Sequence, residues 1–541
     1  MLASLRAKAC QPLYPRASPQ TFLSSFWIQK YRISTVSQAR YDPTIHNFTS
    51  ELSKRQPSFS VPANGISVLS HPDDFYTLLL DMIKNAENRI FLSSLYIGSN
   101  ESELVSTLKN ALERKPSLQL HLQLDLNRST RPGASSTAKI LLPLLHSFPE
   151  RVHVSFFRSP SLRGVMAKLV PPRFNEGWGT WHAKIYGVDD DVIISGANLN
   201  EAYFTNRQDR YIHFKKQGSL ANYCFDFLQA TSLVSYRLLP ADSPNIVSIP
   251  RSSYSYTQEN YSLLWPDQDT HPHRFNDKFR QALVDLQSKA KTINASSGST
   301  SQNPHNVVLF PVIQAGQFNI REEQDMFELL FRNLKQNGSL GSESANGARP
   351  LLDLTSGYFG LSEKYQDLVL GCPEVDVRIV AASPKANGFF GSKGISGRIP
   401  EGYTYLEQRF MKAVRAAGRE WSASGSEGGI QLSEWEKQGW TYHAKGLWLS
   451  PTPTSSPVLT LFGSTNLNSR SAELDTELSF VMVLPSQENA SVSQDSPIDT
   501  LRSQLAQEVQ QIRKDATGWK GGEREVRLGT KMLVKIVGGM L

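Results

Sequence analysis

Cysteine is nearly missing from this chain. Three in 541 residues, Cys10, Cys224 and Cys372, are too few and too scattered for a disulfide scaffold or a cysteine-based zinc site. No run of about 18 apolar residues occurs, so no membrane-spanning helix is expected. Acidic residues are absent from positions 1–40, the first being Asp42. The same stretch carries Arg6, Lys8, Arg16, Lys30, Arg32 and Arg40 among Ser, Ala and Leu, and lacks the compact apolar run of a secretory signal. That composition reads as a mitochondrial presequence, the alternative being a disordered basic arm that binds anions. These six charges account for most of the net charge of +7, leaving +1 for residues 41–541. The body of the chain therefore lacks the basic excess of a nucleic-acid surface, and no basic aromatic groove is legible. No cluster of metal ligands is legible either, and nothing in the pattern calls for a cofactor.

What the chain has is a duplication. His-Ala-Lys occurs at 182–184 and again at 443–445. Asn198 follows His182 by 16 residues, in Ser-Gly-Ala-Asn-Leu-Asn, and Asn466 follows His443 by 23, in Gly-Ser-Thr-Asn-Leu-Asn. A Ser/Pro/Thr-rich loop at 450–457 accounts for the difference. Nine residues beyond the last Asn of each block stands an acid, Asp209 or Glu477. Upstream, 89–98 and 351–360 read as buried strands ending at polar turns. Each is preceded by a helical pattern (73–85; 322–335) and followed by another (101–114; 362–370), and then by a second apolar strand (118–126; 375–382). Alternating strands and helices predict an α/β architecture with a largely parallel or mixed sheet in each half.

The boundaries expected from composition are a presequence at 1–40, a first domain at 60–285, a flexible linker at 286–305, a second domain at 306–515 and a C-terminal segment at 516–541. The Gly/Ser/Asn-rich stretches 336–348 and 486–496 read as surface loops. The last residues, 531–541, are apolar with basic punctuation. They suit either contact with an anionic membrane or a final element packed on the core.

The residue types point to phosphate chemistry. His and Lys at spacing two share one side of a strand, and Trp181, Ala183 and Ile185 supply the alternating apolar positions. Lysine offers a compact positive charge and asparagine a neutral amide donor for phosphate oxygens. Histidine serves as nucleophile or as acid and base near neutral pH, and a downstream acid can hold its tautomer. Two such sets facing one another would clamp one phosphate while one His attacks and the other handles the proton. A single His-x-Lys would signify little; four polar residue types kept in phase across both halves signify a site.

The two blocks resemble the His-x-Lys-x4-Asp motifs of the phospholipase D superfamily. The first fits throughout, with His182, Lys184, Asp189, Gly196 and Asn198; the second departs from it at Ser450, which stands where the pattern has Asp. The resemblance covers most of 60–515. It implies two tandem phospholipase-D-like α/β sandwich domains with the active site at their interface. Segments 178–187, 204–211 and 442–448, with the loop 125–131, further resemble the eukaryotic mitochondrial phosphatidylglycerophosphate synthases. That likeness implies transfer of a phosphatidyl group from CDP-diacylglycerol to glycerol-3-phosphate, without metal or cofactor. It implies a phosphohistidine on His182, with His443 as acid and then base. Lys184, Lys445, Asn198 and Asn466 would stabilise the phosphate oxygens, and Asp189 would support the first motif. Asp209 would orient His182, and Glu477 would orient His443. Arg128, Arg131, Arg207 and Arg210 are candidates for the second phosphate. The expected setting is the matrix face of the mitochondrial inner membrane, with peripheral contact to an anionic membrane and no nucleic-acid partner. The same histidines would serve a phosphatidylserine or cardiolipin synthase, a lipase or a nucleic-acid phosphodiesterase. A decayed, non-catalytic scaffold has only Ser450 in its favour.

Overall fold

Every residue of the strand Asn306–Ala315 is buried. Its side chains alternate between two cores, with Val307, Leu309 and Ile313 on one side and Val308, Phe310 and Val312 on the other. Side chains of period two, covered on both faces, mark a strand inside a layered structure. The computed structural model describes residues 41–132, 136–164, 170, 174–243, 254–258, 260–296, 306–339, 349–421, 428–486 and 496–540.

Each half builds one large mixed sheet. In the N-terminal sheet, Arg89–Ser93, Gln119–Asp125 and Val152–Phe157 run parallel in that order. On the other side of Arg89–Ser93 come Ile185–Val188, Asp191–Ser195, Tyr211–Phe214 and Ile66–Leu69, all antiparallel. The C-terminal sheet repeats this plan. Leu351–Ser356, Asp376–Ala382 and Ile430–Trp435 are parallel, and Lys445–Ser450, Leu459–Gly463, Glu477–Val483 and Asn306–Ala315 follow antiparallel. The duplication expected from the sequence is thus a duplicated strand order. The expected helices are present at Pro72–Lys84, Ser102–Arg114, Glu322–Ser339 and Glu363–Leu370. The first begins at Pro72, and Asp74 accepts from the His71 backbone N–H at 3.2 Å, which satisfies one exposed donor at the helix start.

Three expected boundaries move. Phe59–Pro62, at the start of the expected first domain, instead pairs antiparallel with Asn306–Ala315 and extends the C-terminal sheet. Residues 286–296 of the expected linker continue the helix Asn276–Ser296, whose Phe279, Leu283 and Leu286 are buried; residues 297–305 lie outside the described residues. Ala516–Gly518, placed in the C-terminal segment, is an edge strand against Ile430–Trp435. Apolar faces hidden within an otherwise polar composition explain the first two shifts. The loops 336–348 and 486–496 fall mostly on residues outside those described, although 336–339 complete the helix Glu322–Ser339.

The halves share a core. Phe214 of one sheet stacks on Phe462 of the other with centroids 6.0 Å apart. The helix Pro497–Lys514 packs on Ile66–Leu69, where Gln504 accepts from the Val68 backbone at 3.3 Å. No described helix is long and apolar enough to cross a membrane.

Candidate active site

His182 lies in an extended segment between an isolated bridge, Trp181 to Thr476, and the strand Ile185–Val188. His443 lies between the two-residue strand Thr441–Tyr442 and Lys445–Ser450. The regular strand therefore starts just after Lys184 in one half and at Lys445 in the other. Each His reaches across to the opposite half through its backbone. The His182 N–H donates to the Thr476 carbonyl at 3.0 Å, and the His443 N–H donates to the Gln208 carbonyl at 2.8 Å. Thr476 and Gln208 immediately precede Glu477 and Asp209. Each bridge thus delivers the acid of one half to the imidazole of the other.

The contacts that result are short and buried. His182 Nδ1 lies 2.9 Å from both Glu477 carboxylate oxygens, and His443 Nδ1 lies 2.6 Å from Asp209 Oδ2. The pairing expected from the sequence, Asp209 with His182 and Glu477 with His443, is corrected: the acids are exchanged. Nearness along the chain suggested partners within a half, whereas the strand bridges join the halves.

The remaining motif residues gather here. Lys184 Nζ and Lys445 Nζ each donate to the carbonyl of their own His at 2.6 Å, and Lys445 Nζ lies 3.9 Å from Asp209. Asn198 Oδ1 accepts from the Leu95 N–H at 3.3 Å, and its amide donates to the Tyr203 hydroxyl at 2.9 Å. Asn466 is buried, and its Oδ1 has no partner among the described residues. The second Asn of each Asn-Leu-Asn has a different task. Asn200 and Asn468 cap the short helices Glu201–Thr205 and Ser469–Glu473. Gly196 is required by crowding, since a Cβ there would stand 2.5 Å from Asp209 Oδ1 and 3.0 Å from Lys445 Nζ.

Burial dominates the electrostatics. It drives the His182 pKa down, aided by Lys184 and opposed by Glu477. It drives His443 well down, with Lys445, Arg207 and Lys184 acting in the same sense. Both rings are therefore neutral near pH 7, each with Nδ1 against an acid, and Lys445 Nζ also lies 2.8 Å from His443 Nδ1 and 3.3 Å from its Nε2. The two acids differ. Burial would raise Glu477, but its pairing with His182, the charge of Lys184 and the hydrogen bond from Ser464 hold it below the usual carboxylate range. Burial lifts Asp209 to about 6 although Lys445 opposes it. Burial also lowers Lys184 to about 7 and Lys445 to about 8. The two lysines depress Asp209 and His443 together, which places both half-sites in one electrostatic neighbourhood.

Two expected site residues lie elsewhere. Asp189 sits at the far end of the strand that follows Lys184. Its backbone is left-handed (φ 51°), and its carboxylate accepts from the backbone N–H groups of Glu87, Asn88 and Arg89 at 2.8–3.0 Å. It pins a turn and touches no catalytic group. Ser450 ends the matching strand of the second half, opposite Leu351 and at the other end of that strand from Lys445. Arg210 is fully engaged inside the protein. Its guanidinium binds both Glu508 oxygens at 2.8 and 2.9 Å, the Leu461 carbonyl at 2.8 Å and the Thr460 hydroxyl at 2.9 Å. It stacks on Trp448 and is only 2% exposed, which closes it to a ligand.

The other three arginines are only partly buried. Arg128 lies over the Tyr96 ring at 4.2 Å and Arg207 over the Tyr203 ring at 4.3 Å, while the Tyr203 hydroxyl is 3.5 Å from His443 Nε2. Arg131 is held by Glu176, which also lies 3.6 Å from Arg128.

Several residues were missed by reading motifs. Tyr203 and Tyr358 both lay an edge against the His443 ring, at 5.1 and 5.4 Å. Asp125 is buried and pushed up to about 8 by that burial. It accepts from the Arg128 N–H at 2.9 Å and the Trp181 N–H at 3.1 Å, tying the arginine loop to the first motif. Asp475 accepts from the Thr180 N–H at 2.8 Å and from Arg470 Nε at 3.2 Å. Arg470 had a signal: it breaks the match between the halves, where the first has Ala202. Tyr203 had none, because an aromatic in a short helix reads as core, and Tyr358, in the turn after Leu351–Ser356, reads as the end of a buried strand.

His182, Asp475 and Glu477 offer three ligand atoms within 4.8 Å of one another, a spacing a cation could use. Each is already spent within the protein, on the His–Glu pair or on Thr180 and Arg470. The donor set therefore fits a hydrogen-bonded network better than a cation site.

No protein-family model matches the chain. A mouse protein named mitochondrial CDP-diacylglycerol–glycerol-3-phosphate 3-phosphatidyltransferase is 34% identical over 500 residues, covering 89% of this chain and 84% of that protein. A fission yeast protein of the same enzyme name is 34% identical over 466 residues, covering 81% and 88%. The solved structure of a phosphatidylserine synthase from Haemophilus influenzae superposes with a TM-score of 0.60 at 19% identity, over 91% of this chain and 96% of that one. At that identity the likeness is one of fold.

Proposed function

The chain belongs to the CDP-diacylglycerol–glycerol-3-phosphate 3-phosphatidyltransferase family, and from that premise we propose that it makes phosphatidylglycerophosphate and CMP through a phosphohistidine on His182. The observation that carries the mechanism is the pair of neutral, buried imidazoles, each with Nδ1 tied to an acid of the opposite half.

His182 Nε2 attacks the diacylglycerol-linked phosphorus of CDP-diacylglycerol. A P–N bond forms, the P–O bond to the second phosphorus breaks, and CMP leaves with the bonding pair. Glu477, ionised and held by Ser464 and Ser471, stabilises the positive charge that develops on the ring. Glu477 is held low and ionised whereas burial raises Asp209, so the positive ring is better matched at His182, which favours His182 as nucleophile. His443 supplies a proton to the leaving phosphate, a proton taken up with the anionic substrate because the free ring is neutral. It then accepts the hydroxyl proton of glycerol-3-phosphate as that oxygen attacks phosphorus. The P–N bond breaks and its electron pair returns to His182 Nε2. Lys184, Lys445, Asn198 and Asn466 face the phosphate oxygens throughout. Arg207, stacked on the tyrosine that edges His443, and Arg128, stacked on Tyr96, hold the acceptor's own phosphate, with Arg131 joined to Arg128 through Glu176. The mitochondrial names of the relatives and the basic first 40 residues support a mitochondrial location, within which we place the protein on the matrix face of the inner membrane. A lipid donor requires peripheral membrane contact, and the near-neutral body of the chain gives no support to a nucleic-acid substrate.

The test is CMP release from CDP-diacylglycerol in mixed micelles with glycerol-3-phosphate, serine, phosphatidylglycerol or water as acceptor. Release that requires glycerol-3-phosphate and is lost in His182→Ala supports the reading. Equal release with water makes the protein a hydrolase, and a serine requirement makes it a phosphatidylserine synthase.

A further inference from the structure

The helix Leu528–Val537 leaves one side uncovered. Leu528 (71% exposed), Met532 (59%) and Ile536 (81%) follow one another at spacing four and form a single apolar stripe. The opposite side is anchored, with Thr530 and Val534 buried. Arg527, just before the helix, binds Glu401 of the helix Ile399–Ala416 at 2.9 Å. Beside that contact the turn before Ile399 carries two more bare apolar side chains, Phe390 (59% exposed) and Ile395 (55%). The two elements meet, since a Cβ at Gly529 would stand 3.4 Å from Arg398 Nη1. Five large apolar residues exposed on two adjoining elements call for a covering partner.

Charge says which partner. Residues 527–541 contain Arg527, Lys531 and Lys535 and no acid, and residues 384–399 contain Lys385, Lys393 and Arg398 and no acid; the exposed Glu523 and Glu525 precede the first stretch, Glu525 in the cleft with Phe390, and are outnumbered by these cations. Lys393, Arg398, Lys531 and Lys535 form no ion pair with any described residue; Arg527 is paired with Glu401 and Lys385 with Glu436. An apolar stripe flanked by unneutralised cations complements a surface with an apolar interior and anionic headgroups.

The face also adjoins the active site. The C-terminal turn Gly538–Met540 packs against the short helix Ser469–Glu473 that carries Arg470. A Cβ at Gly177 would stand 3.4 Å from the Met540 sulfur, and neighbouring Glu176 holds Arg128 and Arg131. From the other side, Phe389 lies 5.9 Å from Tyr358, whose ring is 5.4 Å from that of His443. Aromatic rings thus lead from the catalytic histidine to the exposed loop.

We propose that this face, the stripe Leu528, Met532 and Ile536 together with Phe390 and Ile395, is the surface by which the protein sits on an anionic bilayer. The apolar side chains enter the interfacial layer, the four free cations rest on lipid phosphates, and the active-site mouth opens at the membrane. The assignment rests on the lipid-transferase reading for its purpose, but its test does not use the reaction.

Binding of the full chain to vesicles of phosphatidylcholine alone, or with added phosphatidylglycerol, is measured by sedimentation without CDP-diacylglycerol. The wild-type protein binds the anionic vesicles more tightly. The triple variant Leu528→Ser, Met532→Ser, Ile536→Ser loses at least tenfold in affinity, while its thermal midpoint and far-ultraviolet circular dichroism stay those of wild type, as expected for exposed positions. The basic first 40 residues are present in both proteins and cancel in the comparison. A local readout settles whether the stripe itself enters lipid. An environment-sensitive dye on Met532→Cys, in a Cys10→Ser background with Cys224 and Cys372 buried, shifts to the blue with anionic vesicles and is quenched by spin-labelled lipid. Unchanged sedimentation of the triple variant together with an unshifted dye would overturn the proposal. Loss of self-association in light scattering, with vesicle binding intact, would also overturn it and make the face a contact between copies. Micelles that give no CMP release with any acceptor count against the transferase reading alone.

Discussion

His182 of the first half and Glu477 of the second form one buried pair, with Nδ1 2.9 Å from both carboxylate oxygens, and His443 and Asp209 form its mirror image at 2.6 Å. The consequence is that neither half can hold a catalytic histidine in its working tautomer alone. The crossed pairs assign different steps to the two acids. Glu477→Gln should lose phosphoenzyme formation, because the developing charge on His182 has no counter-ion. Asp209→Asn should slow both labelling from the lipid donor and transfer to the acceptor, because His443 serves both steps, but phosphate should still accumulate on His182. Each should cost roughly 10²–10⁴-fold in turnover, the range for acids that orient a catalytic histidine. Rapid-quench trapping with donor labelled in the lipid phosphate reads both. Equal phosphoenzyme in the two variants would contradict the separation of roles.

Donor binding should be coupled to proton uptake. In the free protein Lys184 is lowered to about 7 and Lys445 to about 8 by burial. A bound pyrophosphate favours the charged lysines and raises both values, so binding at pH 8 takes up protons, and affinity is strongest below the free-state values and falls as pH rises through them. One lysine gives about a tenfold loss per pH unit above that point. Calorimetry of a non-hydrolysable donor analogue in buffers of different ionisation enthalpy measures the uptake. Lys184→Arg, which cannot lose its charge, should remove one of the protons.

The arginines should separate by role. Arg128→Met and Arg207→Met should raise the KM for glycerol-3-phosphate by roughly 10–100-fold each, the loss of a charge-assisted phosphate contact. Labelling of His182 by donor should survive. Arg210→Met should act on stability. It leaves Glu508 buried without its partner, a cost of about 3–5 kcal/mol seen as a lower thermal midpoint, while KM in the folded fraction is unchanged. Steady-state kinetics and thermal unfolding on the three variants distinguish these outcomes.

Asp189, for all its place in the motif, should behave as a turn residue. Asp189→Ala removes the acceptor for three backbone N–H groups and strains a left-handed backbone, costing about 2–4 kcal/mol of stability. Asp189→Asn keeps an acceptor oxygen and tolerates the conformation, so it should recover most of that loss. Neither should change the rate of His182 labelling in folded protein. A large change in that rate would return Asp189 to the catalytic group.

By itself the sequence determined the duplication, the α/β class and the identity of the histidines, lysines and asparagines. Such features are local: apolar periodicity sets strands and helices, and a repeated spacing of polar residues survives in the linear order. It also carried the phosphate chemistry, since residue type alone limits what His, Lys and Asn can do. Tertiary structure alone decided which acid serves which histidine, because bridges between Trp181 and Thr476, and between Thr441 and Arg207, join positions more than 230 residues apart. It alone separated Arg207, stacked at the site, from Arg210, spent on Glu508 three residues further along. Adjacent positions on an extended chain face opposite ways, and nothing in composition records which face meets the other half. The helical content of 286–296 and the transfer of Phe59–Pro62 to the far sheet were decided in the same way, by burial against partners distant in the chain.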